Sequence, residues 1–387
     1  MTAETVPNDQ PKGELRKRFL SFELRPLRTA AMLIATIGTI VAVLGAFINH
    51  TQFFHSYLFA WLFWSGLSFG ALVIVMMQFV TGGLWGIAVR PLSIAAFRTL
   101  PVMALLFLPI LLGIHDIFGW ANGARGEAVG YHHKAQYLNI PFFTGRAIVY
   151  FAILIAFGYG LRKRATERDA HTVALSAGGL IAYVLCMNFA STDWVMSLDP
   201  VWYSTVFVEV FAAGQFLAAL ALMTALLTKF SCFLLDDRAA TKAFHDLGNI
   251  LLTFVIFWTY VAFAQLLIVW SGNLPKEISW YLERDRGGWQ WLALFLAALQ
   301  FLFPFLLLLS REAKRNPARL ARICWLILLA DVVNNFWLVA PSFHARFYLN
   351  WLDLVVFAAL GGIWFTGFFH FLKQHLPERN MSELEHV

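Results

Sequence analysis

Charge is what this sequence has least of. Only 13% of its 387 residues are Asp, Glu, Lys or Arg, while 59% are hydrophobic and the mean hydropathy is +0.66. That balance excludes an ordinary soluble domain. Cysteine is scarce too: Cys186, Cys232 and Cys324 stand singly in or beside apolar runs. With no Cys-x-x-Cys and no Cys-x-x-Cys-His, bound iron–sulfur clusters, zinc and covalent haem are not expected, and core cysteines are the plainer reading. The first 26 residues are polar and mixed in charge and do not form a short apolar segment with a small-residue cleavage site. No secretory signal peptide is read there, and the first apolar run is expected to target the chain.

Apolar runs are what the sequence has most of. A bilayer crossing needs about 20 predominantly apolar residues, and ten segments qualify: 27–48, 56–80, 99–118, 140–161, 172–189, 205–227, 247–270, 289–309, 320–340 and 352–372. The expectation is an all-α polytopic membrane protein, with a ten-helix membrane domain over 27–372, a cytoplasmic segment at 1–26 and a cytoplasmic tail at 373–387. With the N-terminus inside, the inner segments hold 22 Lys and Arg and the outer segments 6, with Arg146 inside the fourth span. Short cytoplasmic loops carry such an excess, so both termini are expected in the cytoplasm. This inner collar accounts for the pI near 9.3, and no nucleic-acid partner is inferred.

The stretch 188–209 joins the fifth and sixth spans. It carries Asp193, Asp199 and Glu209 and no basic residue. Asp199-Pro200 forces a turn, and Trp194, Trp202 and Tyr203 are expected at the headgroup level, where amphipathic rings settle. The largest outer segments, about 119–139 and 271–288, are read as loops by length. Trp270, Trp280, Tyr281, Trp289 and Trp291 around 271–288 are expected to form an aromatic belt, either an anchor in the interface or a docking surface for an outer partner.

Ionisable groups inside spans are costly, about 2.5–3.5 kcal/mol at a helix centre on insertion scales, and so point to function by default. Span directions put His115, Asp116, Arg146, Asp193 and Glu209 at one outer depth. A histidine beside a carboxylate can accept and pass on protons, as quinol oxidation requires. A buried salt bridge of Arg146 with Asp116 or Glu209, fixing helix packing only, is the alternative. On the ninth span Asp331, Asn334 and Asn335 fall at i, i+3 and i+4, on one face, and Asp353 opens the tenth. These four read as a proton half-channel or, in the case of the asparagines, as interhelical hydrogen bonds. His50 and His55 lie near the outer face and His245 and His370 near the inner one, and read as lone interfacial histidines. A weak echo links Phe63-Trp-Ser-Gly-Leu-Ser-Phe-Gly-Ala in the second span with Phe211-Ala-Ala-Gly-Gln-Phe-Leu-Ala-Ala in the sixth, both with small residues at helix-packing spacing.

Six motifs, taken together, carry a resemblance. They are Phe54-His-Ser-Tyr-Leu-Phe-Ala-Trp-Leu-Phe-Trp-Ser-Gly-Leu-Ser, Arg98-Thr-Leu-Pro, Leu112-Gly-Ile-His-Asp, Thr192-Asp-Trp-Val-Met-Ser-Leu-Asp-Pro-Val-Trp-Tyr-Ser-Thr, Ile268-Val-Trp-Ser-Gly-Asn-Leu-Pro-Lys-Glu-Ile-Ser-Trp-Tyr and Phe336-Trp-Leu-Val-Ala-Pro. In this order they resemble the ActF membrane subunits of bacterial alternative complex III, over nearly all ten spans, and through them the NrfD-like quinone-interacting family. The resemblance implies two four-helix bundles, spans two to five and six to nine, flanked by extra helices. It also implies a multi-pass place in the bacterial inner membrane, within a complex that oxidises menaquinol or ubiquinol. The implied partners are a sister NrfD-like subunit, an iron–sulfur protein, c-type haem subunits and small membrane subunits, with no haem or iron–sulfur cluster held by this chain. His115 and Asp193 are the implied quinol pair. The chain departs from the pattern in two places: His115-Asp116-Ile stands where the sister subunit is expected to have His-x-Gly-Arg, and Asn334 stands where an acidic residue is implied. The remaining readings are a scaffold or proton-conducting subunit without quinol turnover, and an independent secondary transporter.

Overall fold

Ten helices in the computed structural model are long and apolar enough to cross a membrane: Leu24–Ile48, His50–Thr81, Leu84–Leu112, Ile140–Lys163, Ala170–Leu198, Phe207–Phe230, Ala239–Gly272, Trp289–Leu309, Pro317–Ser342 and Trp351–Gln374. The structure describes residues 10–122, 134–164, 168–234 and 237–375, and among them there is no strand. Residues 1–9 and 376–387, which hold parts of the expected terminal segments, lie outside the described residues, as do Arg125 and the side chain of Cys232. The first helix begins at Gln10, well before its span.

Two of the spans form the centre. The apolar stretch of the second is wholly buried and that of the sixth 94% buried, against 17% for the first. The second touches the third, fifth, sixth, ninth and tenth spans, and the sixth touches the second, fifth, seventh and ninth. Spans two to five thus make one four-helix bundle and spans six to nine another, facing each other through the second and sixth. The first and tenth spans pair and lie against the second. Small residues set the approach: a side chain at Gly70 would run into the backbone of Gln215 and the methyl of Ala219, and one at Gly66 would meet the Gln215 side chain. Helices in lipid gain association from close backbone packing, not from expelling water. The echo in the sequence is therefore the seam between the bundles.

The third span, Leu84–Leu112, begins well before the expected 99–118. Its first part is a buried helix, Leu84–Phe97, which packs on the second, sixth, seventh and tenth spans. Arg90 Nε donates to Gln78 Oε1 at 3.0 Å, and Arg98 Nη2 to Gln374 Oε1 at 2.6 Å. These two arginines end an apolar window early, which hid this helix in the sequence. Beyond it the span is broken into Leu100–Leu105, Leu108–Leu112 and Ile114–Ile117. Proline cannot donate and crowds the preceding turn, and Pro109 has this effect here. Phe107 and Ile110 donate one residue short, to Ala104 and Phe107. The carbonyls of Met103 and Leu106 accept instead from Trp61 Nε1 at 3.0 Å and Tyr57 Oη at 2.8 Å, and this ties the kinked span to the central one.

Trp194 corrects the expected belt. It is 1% exposed, with its ring centroid 5.0 Å from Trp61 and about 6 Å from Phe107 and Phe151. It is core, and so are Trp202, Trp280 and Trp289, all buried, while Trp270 and Trp291 are exposed and Tyr281 is half-buried. The segment 271–288, expected as a loop, contains a helix, Pro275–Arg284. That helix docks against the 188–209 stretch: Trp202 stacks on Trp280 at 4.9 Å and donates from Nε1 to the Glu277 carbonyl at 3.0 Å.

Candidate functional site

Asp193 sits in the last turn of the fifth helix, Ala170–Trp194, and is fully buried. Arg146, in the second turn of the fourth, meets it with two parallel bonds, Nη2 to Oδ1 at 2.7 Å and Nε to Oδ2 at 2.8 Å. Tyr150, one helical turn further on, donates to Oδ2 at 2.8 Å. The remaining Arg146 nitrogen donates to the Tyr137 carbonyl at 2.9 Å, and the guanidinium lies over the rings of Tyr137 and Phe142, at 3.7 and 4.4 Å. Bidentate arginine–carboxylate pairing is the strongest common form of the contact, and burial makes completeness essential. Both carboxylate oxygens are occupied, and the site is a closed clamp between the fourth and fifth spans.

The other expected members stand elsewhere. His115 is exposed and bonds Asn122 at 3.0 Å through Nδ1. Asp116 faces His50 Nδ1 at 3.3 Å and accepts from Thr51 at 3.1 Å. Glu209 is exposed on the first turn of the sixth span and has no partner among the described residues. So of the five groups expected at one depth only Arg146 and Asp193 meet, and the partner of Arg146 is neither Asp116 nor Glu209 but Asp193.

A network that the sequence reading did not foresee lies at the same end. Asp353, 4% exposed, accepts from Ser56 Oγ at 2.6 Å, from Gln52 Nε2 at 3.3 Å and from the Asn350 backbone at 2.8 Å. Gln52 Oε1 accepts from His344 Nε2 at 3.1 Å. His55 stacks on Phe343 at 3.7 Å, comes within 6.0 Å of the His344 ring and donates from Nε2 to the Asp116 carbonyl at 3.2 Å. The chain of contacts joins the second span, the end of the third, the 343–350 connection and the tenth. His344 lies outside the spans, and burial lowers its pKa, partly opposed by Asp353.

Asp331 occupies the junction of the bundles. With Asn334 and Asn335 it lines a small polar pocket together with Gly66 of the second span and Gly214 and Gln215 of the sixth. Asn335 Nδ2 donates to Asp331 Oδ2 at 3.0 Å, and Tyr183 of the fifth span donates to Gln215 Oε1 at 2.9 Å. No basic side chain among the described residues pairs with Asp331. In the second bundle Gln300 is fully buried inside a π-helical segment, Ala297–Leu302, with neither amide atom bonded. Such segments cluster at functional positions.

Arg284 is another buried cation, 2% exposed, at the end of the helix Pro275–Arg284. It lies over Trp280 at 3.6 Å and donates to the carbonyls of Trp280 at 3.0 Å and Leu338 at 2.7 Å. Burial pushes its pKa down to about 9. No group of three or more metal-ligating side chains occurs among the described residues. No protein-family model and no curated protein matches the chain at a significant level.

Proposed function

We propose that this chain is an integral membrane subunit of a quinol-oxidising respiratory complex of the alternative complex III type, set in a bacterial inner membrane with both termini cytoplasmic. Its work there is scaffold and proton path, and the quinol chemistry belongs to a sister NrfD-like subunit. An iron–sulfur protein, c-type haem subunits and small membrane subunits complete the assembly. The ordered motifs and the two facing bundles support the first statement.

The observation that carries the second is the state of Asp193. A quinol-binding carboxylate needs an oxygen open to the quinol hydroxyl, and Asp193 spends both on Arg146 and Tyr150 while fully buried. His115, its implied partner, is bonded to Asn122 instead. Asp331 supports the proton path. It is a carboxyl group without a cation, at the meeting of the second, sixth and ninth spans, with amides on the same pocket wall. Intramembrane acids of this kind mark proton relays.

The test is the complex carrying Asp331→Asn, reconstituted in vesicles, with protons released and quinol oxidised measured together. The reading expects quinol oxidation to continue while proton release per quinol falls. An unchanged proton yield with unchanged oxidation removes Asp331 from the path.

A further inference from the structure

Gly214 of the sixth span faces one residue of the seventh span and one of the ninth. A side chain at Gly214 would come within 3.3 Å of Asp331 Oδ1 and 3.6 Å of Trp258 Nε1, and the next atom, Trp258 Cδ1, stands at 3.9 Å. The indole nitrogen is buried and has no hydrogen-bond partner among the described residues. Asn335 donates to Asp331 Oδ2 at 3.0 Å, which leaves Oδ1 as the oxygen turned toward Gly214. An indole N–H only donates and a carboxylate oxygen accepts, so the two atoms are complementary. They converge on the space beside Gly214 without bonding each other. A buried N–H with no acceptor is costly, and such groups are satisfied by ordered water where room exists. Room exists here: Gly214 and Asp331 also line the polar pocket with Gln215 and Asn334, whose volume of about 10 Å³ matches a single water.

We propose that Gly214 makes room for one ordered water, which accepts from Trp258 Nε1 and donates to Asp331 Oδ1. The methyl of an alanine would take that space and offers neither donor nor acceptor. A metal cation is disfavoured as the occupant, because the positive end of the indole N–H points at the same place. The water site stands on geometry alone. Its use as the first water of the proton path at Asp331 rests on the reading proposed above.

The protein purified with its native partners is imaged by electron cryomicroscopy at a resolution that shows buried water, as wild type, Gly214→Ala and Trp258→Phe. Wild type is expected to show a density peak within hydrogen-bond distance of both Asp331 Oδ1 and Trp258 Nε1, lost in Gly214→Ala and lowered in Trp258→Phe. Trp258→Phe adds no bulk, so it carries the comparison if Gly214→Ala fails to assemble. No peak in wild type, where other buried waters are visible, overturns the proposal, and so does a direct bond between Trp258 and Asp331. Proton release per quinol, measured in vesicles, is expected to fall in Gly214→Ala toward the value of Asp331→Asn. A lost peak with an undiminished yield in Gly214→Ala, when Asp331→Asn lowers it, removes the water from the path and leaves Asp331 there. No effect of Asp331→Asn overturns the path itself, while the density still decides the water.

Discussion

Arg146 and Asp193 face each other across the fourth and fifth spans with two bonds of 2.7 and 2.8 Å, both side chains buried. Breaking one side of such a pair leaves an uncompensated charge in the interior. Arg146→Leu is therefore expected to cost about 3–5 kcal/mol, with much of that loss recovered when Asp193→Leu is added. Unfolding of the purified protein in detergent reads both, and the double variant separates charge compensation from packing.

The two kinds of tryptophan are expected to behave differently. Trp194→Ala empties a core shared with Trp61, Phe107 and Phe151 and is expected to cost about 3–5 kcal/mol. Trp270→Ala, on an exposed side chain, stays within about 0.5 kcal/mol. Denaturation midpoints of the two variants against wild type check this.

That contrast also shows where sequence reading succeeds and where it stops. Ten spans are legible because apolar length is a local property, whereas Gly66 and Gly70 read only as part of a weak echo, and their seam with the sixth span shows once Gln215 and Ala219 lie against them. Whether a tryptophan at a span end turns inward or toward headgroups is set by what it packs on, and Trp194 looks the same either way until Trp61 is beside it. The acid partner of Arg146 had several candidates at one depth, and rotation about the helix axes decided among them. Asp353 is about 300 residues from Ser56 and Gln52 in the chain, so no spacing reveals their contact.

Packing at the seam gives a further contrast. Gly70→Leu drives a side chain into the Gln215 backbone and Ala219, an overpacking expected to cost about 1–3 kcal/mol or more. Gly145→Ala meets nothing within 4 Å and is expected to be neutral. Yield and thermal midpoint of the two variants decide.

The His344 network predicts acid sensitivity. The folded pKa of His344 lies below the ordinary histidine value of about 6.5, because burial disfavours its charged form more than Asp353 favours it. As pH falls through about 6.5 the unfolded state takes up the proton first, so stability present above that value is lost on acidification. His344→Gln is expected to show a smaller fall in thermal midpoint between pH 7 and pH 5 than wild type, when both are measured in the same detergent.

Quinol oxidation by the assembled complex, compared between wild type, His115→Ala and Glu209→Gln after assembly is verified, is the most direct test of the account. Both side chains are exposed, which separates chemistry from folding. Turnover within about twofold of wild type in each variant is the predicted result, since removing a group that contributes to transition-state proton transfer costs about 10²–10⁴. A loss of that size in His115→Ala would place quinol oxidation in this subunit and contradict the account.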